Sequence, residues 1–394
     1  MVRRIASIAL LSVLVLTLAC GCGGQKRQAR GGRADADGPQ GDVPEERADV
    51  PEEYASLYGE LESKLRELDA YLKERWDGQT HGTVFGVELI VANANRGEEL
   101  LSPQTLASVQ VTLDAFQQLG IKGVMVSVSY PLLNPSFPRS AEYLDFYRKV
   151  AAEVRRRGLV LMVDSGAVFP NPEVSGLNVS FAGLTLDRYK QEKRQMAETV
   201  IGELRPDYYT VENEPSTQQF NTGLDFSVAN QTEVVNFILS GIDRSGTKVG
   251  AGAGTWDDIA YFESLAENTA IDFIDMHIYP IQGDAVIDRT ERISDLARSR
   301  GVGLTVGEAW LYKAAGSEMG PGHNPATAAG IFARDAFSFW APLDQAFLEV
   351  AVELSHYLEL EFMTPFWMQY LFAYVEYGPS TQDLGYAEML RVEN

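Results

Sequence analysis

Two glutamates follow short apolar segments of the sequence and could act together on one bond. Glu214 closes the segment 208–211, and Glu308 closes the segment 304–307. If both segments are strands of one parallel barrel, the two carboxyl groups lie at the same end of it, where the active sites of such barrels are found. Hydrolysis of a glycosidic bond requires an acid that protonates the leaving oxygen and a carboxylate that faces the neighbouring carbon. A lone glutamate would be a solvated loop charge, but this pair indicates chemistry on a glycosidic bond.

Other polar and aromatic side chains occupy comparable positions. A third strand-like segment, 274–278, contains His277 and is followed by Tyr279. Trp256 and Trp310 come shortly after other apolar segments. Because an aromatic face can stack on the apolar face of a sugar ring, both tryptophans are candidate sugar platforms. Core packing explains them almost equally well.

The elements that position these residues alternate regularly along the chain. Short apolar segments predict eight strands, at 83–91, 121–128, 159–163, 207–211, 248–251, 271–276, 303–306 and 361–366. Amphipathic segments predict helices at 51–76, 103–119, 141–157, 186–204, 231–244, 257–267, 288–300 and 326–360. Alternating strands and helices favour a parallel sheet. Eight such units predict an α/β fold, a (β/α)8 TIM barrel in residues 51–394 that is preceded by an N-terminal helix.

A doubly wound dinucleotide-binding sheet is the main alternative fold. Residues 250–254 read Gly-Ala-Gly-Ala-Gly and superficially match its glycine loop. The third glycine is misplaced, however, and no acidic residue follows at the required distance. We therefore interpret this segment as a strand end with small side chains, and we expect no cofactor.

With these strand positions, the chain resembles the clan A, or "4/7", retaining glycoside hydrolases. Members of that clan carry Asn-Glu at the end of the fourth strand and a second glutamate at the end of the seventh. The resemblance implies that Glu214 is the acid/base and that Glu308 is the nucleophile. It also implies that Asn213 contacts the 2-hydroxyl of the sugar. A His-x-Tyr segment after the sixth strand, matched by His277 and Tyr279, implies a tyrosine in contact with the nucleophile.

The resemblance also concerns the floor of the site and a missing residue. In the clan, a tryptophan after the eighth strand usually lies under the sugar at the cleavage point, and Trp367 matches it. Trp310 is a further expected substrate contact. Many members carry an arginine near the end of the second strand, whereas residues 127–131 read Ser-Val-Ser-Tyr-Pro. Arg96, in the loop after the first predicted strand, is a candidate replacement.

Together, these features predict an enzyme that cleaves a β-glycosidic bond in an oligo- or polysaccharide by double displacement. A non-catalytic carbohydrate-binding surface protein on the same barrel is the alternative, although the retained pair of glutamates favours the enzyme. A net charge of −22 argues against nucleic acid as a partner. The four histidines form no metal-binding motif, so no metal is expected. The choice of sugar, endo or exo action and the oligomeric state are not predicted.

The first fifty residues predict export and lipid attachment. Residues 1–19 have two arginines and then an apolar run, as a secretory signal does. The run of about 14 residues is shorter than the ~20 that cross a bilayer. Cys20 follows Leu-Ala and matches a bacterial lipobox better than Cys22 does. Residues 20–50 have almost no large apolar side chains and predict a disordered tether. We expect a protein that contacts the bacterial cell-envelope membrane through its lipid anchor only; a secreted protein is the alternative.

Replacing Cys20 by serine should release the protein from the membrane fraction, because serine lacks the thiol that receives the lipid. Cell fractionation and gel mobility measure the outcome. Cys22→Ser is the matched control and should leave the attachment unchanged. A Cys20→Ser protein that stays in the membrane fraction with unaltered mobility would show that the lipobox interpretation is wrong.

Overall fold

Eight parallel strands form a closed barrel in sequence order. The computed structural model describes residues 50–172, 174–279, 286–318, 325–366, 374–385 and 388–389. The strands are β1 (Val84–Glu88), β2 (Gly123–Ser127), β3 (Val160–Asp164), β4 (Tyr208–Thr210), β5 (Lys248–Gly254), β6 (Phe273–Ile278), β7 (Gly303–Ala309) and β8 (Phe362–Pro365). Because β8 pairs with β1, the sheet has no open edge. The predicted (β/α)8 barrel is confirmed, and closure excludes the doubly wound sheet.

Helices surround this barrel. They are α1 (Ala55–Arg75), α2 (Pro103–Leu119), α3 (Ser140–Arg156), α4 (Leu186–Thr199), α5 (Pro215–Thr222), α6 (Val228–Leu239), α7 (Ile259–Asn268), α8 (Val286–Arg300), α9 (Pro325–Arg334) and α10 (Ala341–Tyr357). The leading helix α1 buries a stripe of leucines and packs against α10. Among the described residues, no helix is long and apolar enough to cross a membrane. The predicted signal and tether lie outside the described residues, except for Val50.

The predicted helix 326–360 is two helices in the structure. A buried turn, Ser338–Trp340, separates α9 from α10. Pro342 lies in the first turn of α10, where its missing N–H is tolerated, although it would interrupt one continuous helix. The indole of Trp340 donates a hydrogen bond of 2.9 Å to the carbonyl oxygen of Arg334, the last residue of α9. The two helices are therefore distinct elements.

The short helix α5 was not predicted. Pro215 starts it, and Gly223 ends it in the left-handed conformation with a φ of 73°. These are typical start and stop residues. The eight residues of α5 include a single large apolar side chain, Phe220, so they show no amphipathic period. The helix matters because it begins directly after Glu214.

The lower part of the barrel interior is filled by aromatic rings that pack over glycines. A Cβ atom on Gly123 would lie 2.7 Å from the ring of Phe362, and one on Gly86 would lie 2.9 Å from it. Phe273 likewise occupies the space beside Gly250. The interior is therefore a packed core, as in other barrels of this type.

Above these rings, Asp275 organises a buried polar layer. Its carboxylate accepts hydrogen bonds of 2.7 Å from Thr210 and 2.6 Å from Thr305, and another of 2.8 Å from the backbone N–H of Gly307. Strands β4, β6 and β7 are thus tied together directly below the carboxyl end of the barrel, which we call the mouth.

A β-bulge in β7 aims Glu308 into the mouth. Met276 of β6 is paired with Val306, but the next residue, His277, is paired with Glu308, so Gly307 is an extra residue. In a regular strand, successive side chains alternate between faces, and residue 307 would take the inward position after Thr305. The bulge gives that position to Glu308 instead.

Gly307→Ala should destabilise the protein by about 1–3 kcal/mol, the usual cost of overpacking. The added Cβ atom would lie 2.6 Å from Oδ2 of Asp275. Urea unfolding gives the free energy. Gly59→Ala in α1 is the matched control, because a Cβ atom there meets nothing within 4 Å. The control should be stabilised by about 0.5–1 kcal/mol. Equal stability of Gly307→Ala and the wild type would contradict tight packing at the bulge.

Candidate active site

The two predicted glutamates lie side by side in the mouth. His277 of β6 has its Nδ1 atom 2.7 Å from Oε1 of Glu214 and 3.1 Å from Oε2 of Glu308. One oxygen of each carboxylate and a ring nitrogen of His277 all lie within 4.8 Å of one another. The glutamate side chains are 11% and 13% exposed, whereas the imidazole is 1% exposed. The carboxylates are therefore the groups that a ligand can reach.

The backbone at Glu214 has an uncommon conformation. Its φ of 40° and ψ of 66° are in the left-handed region, and the residue is the N-cap of α5. This conformation is strained for any residue that has a Cβ atom, and strained residues are concentrated at functional sites. The chain turns sharply from β4 into α5 at this point, and the carboxylate remains in the mouth.

His277 carries a positive charge between the carboxylates. Burial lowers the pKa of this imidazole, but the nearby carboxyl groups of Asp275, Glu214 and Glu308 outweigh burial and hold the pKa well above its usual value. Its Nε2 atom is 3.7 Å from Oδ2 of Asp275. The polar layer below the mouth therefore stabilises the imidazolium.

Burial and several neighbouring groups shift the pKa of Glu308, and the balance is a raised pKa. Burial raises the pKa of Glu308, while hydrogen bonds from His277 and Tyr279 lower it and the charge of Glu214 raises it. The phenol of Tyr279 donates its hydrogen bond to Oε1 of Glu308. Burial and the charge of Glu308 raise the pKa of Tyr279 well above its usual value, so the phenol keeps its proton and remains a donor.

Arg96, the candidate replacement for the arginine that β2 lacks, pairs with a residue of its own loop. The guanidinium of Arg96 donates a hydrogen bond of 2.7 Å to Glu99 in its own loop. The basic side chain beside Glu308 is that of His277 on β6, whose Nδ1 atom lies 3.1 Å from Oε2 of Glu308.

Asn213 is held in one orientation by its neighbours. Its Nδ2 group donates a hydrogen bond to Oδ1 of Asp164 at the end of β3, and Nε2 of Gln218 donates one of 3.1 Å to its Oδ1 atom. Burial raises the pKa of Asp164 to about 7. The roles of Asn213, His277 and Tyr279 as substrate contacts stay predictions, but all three lie around the glutamate pair.

Glu88, at the end of β1, is a buried acid beside the pair. Its Oε1 atom accepts a hydrogen bond of 2.7 Å from Asn93, and the residue is 1% exposed. Burial, together with the charge of Glu308, raises the pKa of Glu88 well above its usual value. The neutral acid is therefore the favoured form of Glu88.

Glu212 is part of a buried ion pair behind Asn213 and Glu214. Its Oε2 atom accepts a hydrogen bond of 2.9 Å from Tyr189 and lies 3.6 Å from Nζ of Lys193. Burial lowers the pKa of Lys193 and raises that of Glu212. The ammonium of Lys193 also donates to the carbonyl oxygen of Ser165, after β3. The pair fixes β3, β4 and α4 relative to one another.

Two groups of side chains have the proximity that metal binding requires. They are Asp164 with Asp275 and His277, and Glu214 with His277 and Glu308; within each group, one potential ligand atom per residue lies within 4.8 Å of the others. His277 belongs to both groups, and its Nδ1 atom is hydrogen-bonded to Oε1 of Glu214. Because a protonated imidazole has no lone pair for a metal, the raised pKa of His277 disfavours a metal ion at either group.

The tryptophans differ in their surroundings. Trp310 is 2% exposed, and its ring lies 5.4 Å from that of Tyr279, so it supports the tyrosine from inside the protein. Its expected contact with substrate is not favoured by this burial. Trp256 is 37% exposed, and its ring centroid lies 4.8 Å from that of Tyr279. Trp367 lies outside the described residues.

Sequence reasoning missed Asp275, Gln218 and the bulge at Gly307. Asp275 could have been identified from the sequence, because it precedes His277 by two residues and therefore lies on the same face of β6. Gln218 and the bulge could not, since their roles arise only when β3, β4, β6 and β7 are brought together.

No family model matches the sequence, and no characterised protein matches it in sequence. Solved structures with a similar barrel include a β-glucosidase from Thermotoga maritima in complex with deoxynojirimycin, which is 11% identical over 80% of this chain and 99% of that chain, with a TM-score of 0.46. GH5_18 from Bifidobacterium longum is 15% identical over 72% and 69%, with a TM-score of 0.47. A GH30 endoxylanase from Clostridium papyrosolvens is 12% identical over 74% and 67%, with a TM-score of 0.45. At these identities the likeness concerns the barrel alone, and no activity is transferred from it.

Lys193→Met should destabilise the protein by about 3–5 kcal/mol, because the buried carboxylate of Glu212 loses its counter-charge. Lys193→Met/Glu212→Gln should recover much of this loss, since no unpaired charge remains. Urea unfolding measures both. Lys73→Met is the control: Lys73 is 65% exposed and pairs with Asp69 on the surface of α1. Its effect should stay within about 0.5 kcal/mol. A Lys193→Met effect as small as the control would show that the buried pair contributes nothing.

Proposed function

We propose that this protein is a retaining glycoside hydrolase that cleaves a β-glycosidic bond in an oligo- or polysaccharide. The observation that carries the proposal is the close pair of carboxyl groups of Glu214 and Glu308. Their nearest oxygens lie within 4.8 Å of each other, beside the imidazole of His277. Retaining enzymes hold the two carboxyl groups about 5–5.5 Å apart, whereas inverting enzymes leave about 6.5–9.5 Å for a water molecule. The close pair supports double displacement.

In the first step, the carboxylate of Glu308 attacks the anomeric carbon, and the bond from that carbon to the leaving oxygen breaks. Glu214 gives its proton to the leaving oxygen, so the leaving group departs as a neutral alcohol. His277 and Tyr279 favour the ionised form of Glu308 before the attack. The product of this step is an ester between Glu308 and the sugar.

In the second step, Glu214, now a carboxylate, removes a proton from water. The water oxygen attacks the same carbon, and the ester bond to Glu308 breaks. The sugar leaves with its original configuration because each step inverts it once, and the proton returns Glu214 to its acid form. His277 lies between the two carboxylates throughout, so it offsets the negative charge that moves from one to the other.

We also propose export and lipid anchoring through Cys20. This part rests on the sequence of residues 1–50 alone. A glycosidase on a tether at the cell envelope would reach polymers that cannot enter the cell.

Glu308→Gln should nearly abolish turnover of every substrate, because it removes the nucleophile but keeps the shape of the side chain. Glu214→Ala should retain the first step on aryl glycosides, whose leaving groups need little protonation. Azide should then rescue Glu214→Ala and yield a β-glycosyl azide from a β-glycoside, as shown by NMR of the product. An α-azide, or rescue of Glu308→Gln instead, would reverse the assignment.

A 2-fluoroglycoside separates the enzyme from the non-catalytic alternative in the same experiment. Mass spectrometry of the wild type should find the label on Glu308, and Glu308→Gln is the matched control that should remain unlabelled. A carbohydrate-binding protein without activity would acquire no label in either form.

A further inference from the structure

Large hydrophobic side chains are exposed at few places in the described part of the chain. They are Val111, Phe220 and Trp256, with exposures of 70%, 51% and 37%. Val111 lies on α2, on the outside of the barrel. Phe220 lies on α5, which begins directly after Glu214, and Trp256 follows β5. Isolated exposed side chains are common, but exposed rings that share one surface mark a binding site.

Trp256 is held in a defined position although much of its ring is exposed. Its indole N–H donates a hydrogen bond of 3.3 Å to the hydroxyl of Ser216 in the first turn of α5. One side of the ring covers Gly254, where any Cβ atom would overlap with it. The ring also lies 4.8 Å from that of Tyr279, which donates to Glu308. Trp256 therefore continues the site outward from the nucleophile.

Phe220 lies one helical turn beyond this point. Ser216 and Phe220 are four residues apart on α5, so they share a face with their Cβ atoms about 5–6 Å apart. The opposite side of α5 is buried, with Gln218 only 2% and Thr222 only 7% exposed. Phe220 therefore occupies the solvent side of the helix, in line with Ser216 and the indole that it holds.

The rings of Tyr279, Trp256 and Phe220 thus follow one another away from the nucleophile, and we call them the aromatic row. Exposure rises along the row, from the partly buried Tyr279 to 37% at Trp256 and 51% at Phe220. None of the eight residues of α5 is charged, although the whole protein has a net charge of −22. An uncharged helix that presents an aromatic ring fits a neutral sugar chain, whose apolar faces stack on aromatic side chains.

We propose that the aromatic row binds successive sugar rings on the leaving-group side of the scissile bond, so that the substrate is a chain of neutral sugars and its leaving group is itself an oligosaccharide. This inference rests on the proposed function for its direction. Glu214, which would protonate the leaving oxygen, directly precedes the helix that carries Ser216 and Phe220. The leaving group must therefore pass over the start of α5, where Trp256 and then Phe220 lie.

The test uses β-linked cello-, manno-, xylo- and galacto-oligosaccharides of two to six units and the matching 4-nitrophenyl glycosides. In the wild type, kcat/KM should rise with chain length. Phe220→Ala should lower the ratio of kcat/KM for the longest oligosaccharide to that for the 4-nitrophenyl glycoside about 3- to 10-fold, chiefly through KM. Phe220→Tyr should restore the ratio, because it keeps the ring. Val111→Ala, which removes an exposed hydrophobic side chain on the outside of the barrel, should have the same ratio as the wild type.

Calorimetric titration of the same oligosaccharides into the Glu308→Gln protein, with and without Phe220→Ala, measures binding by the aromatic row independently of hydrolysis. Weaker binding with Phe220→Ala supports the row even if the wild type hydrolyses nothing, in which case only the proposed function fails. If hydrolysis occurs but Phe220→Ala behaves as Val111→Ala does, the row is wrong and the proposed function stands. Absence of binding by all four series also overturns the row.

Discussion

A buried imidazolium between two carboxylates is the interaction on which the mouth of the barrel depends. Two carboxylates whose oxygens lie within 4.8 Å repel each other strongly when little water surrounds them. His277 offsets that repulsion through one nitrogen and faces Asp275 with the other. Asp275 is fixed in turn by Thr210, Thr305 and the backbone of Gly307. The charge in the mouth is thus anchored in the polar layer of the barrel.

Two acids around this centre have raised pKa values, which disfavours further negative charge. Burial raises the pKa of Asp164 to about 7, and burial together with the charge of Glu308 raises that of Glu88. A neutral Glu88 does not add to the negative charge near Glu308. On the far side of Asn213, Lys193 and Glu212 neutralise each other. The site therefore contains many acids, and the two whose side chains are most exposed are Glu214 and Glu308.

Much of the barrel follows from the sequence because local signals and the overall fold agree. Ser102 accepts a hydrogen bond from the N–H of Gln104 at the start of α2, and Gly120 ends that helix with a φ of 82°, as the Ser-Pro and Gly signals predict. The eight strands were found at their correct places, and Glu214 and Glu308 were found at the strand ends. Arg96 was a candidate for the cation beside Glu308, but it pairs with Glu99, and His277 lies beside Glu308 instead. Which basic side chain reaches Glu308 depends on the tertiary structure. The burial of Trp310 depends on its aromatic neighbours and could not be predicted from its spacing.

Both glutamates reach the mouth through departures from regular backbone geometry, which hydrophobic periodicity cannot reveal. Glu308 faces inward because Gly307 is an extra residue in β7, and Glu214 does so because its own backbone is left-handed. Each departure is held by contacts with other strands and helices: the N–H of Gly307 donates a hydrogen bond to Asp275, and the carbonyl oxygen of Glu214 accepts one from the N–H of Gln218. The amide of Gln218 in turn orients Asn213. The same short helix thus holds Glu214 in its strained conformation, orients Asn213 and presents Phe220 to solvent. The placement of Glu214 is therefore coupled to the exposed face of α5.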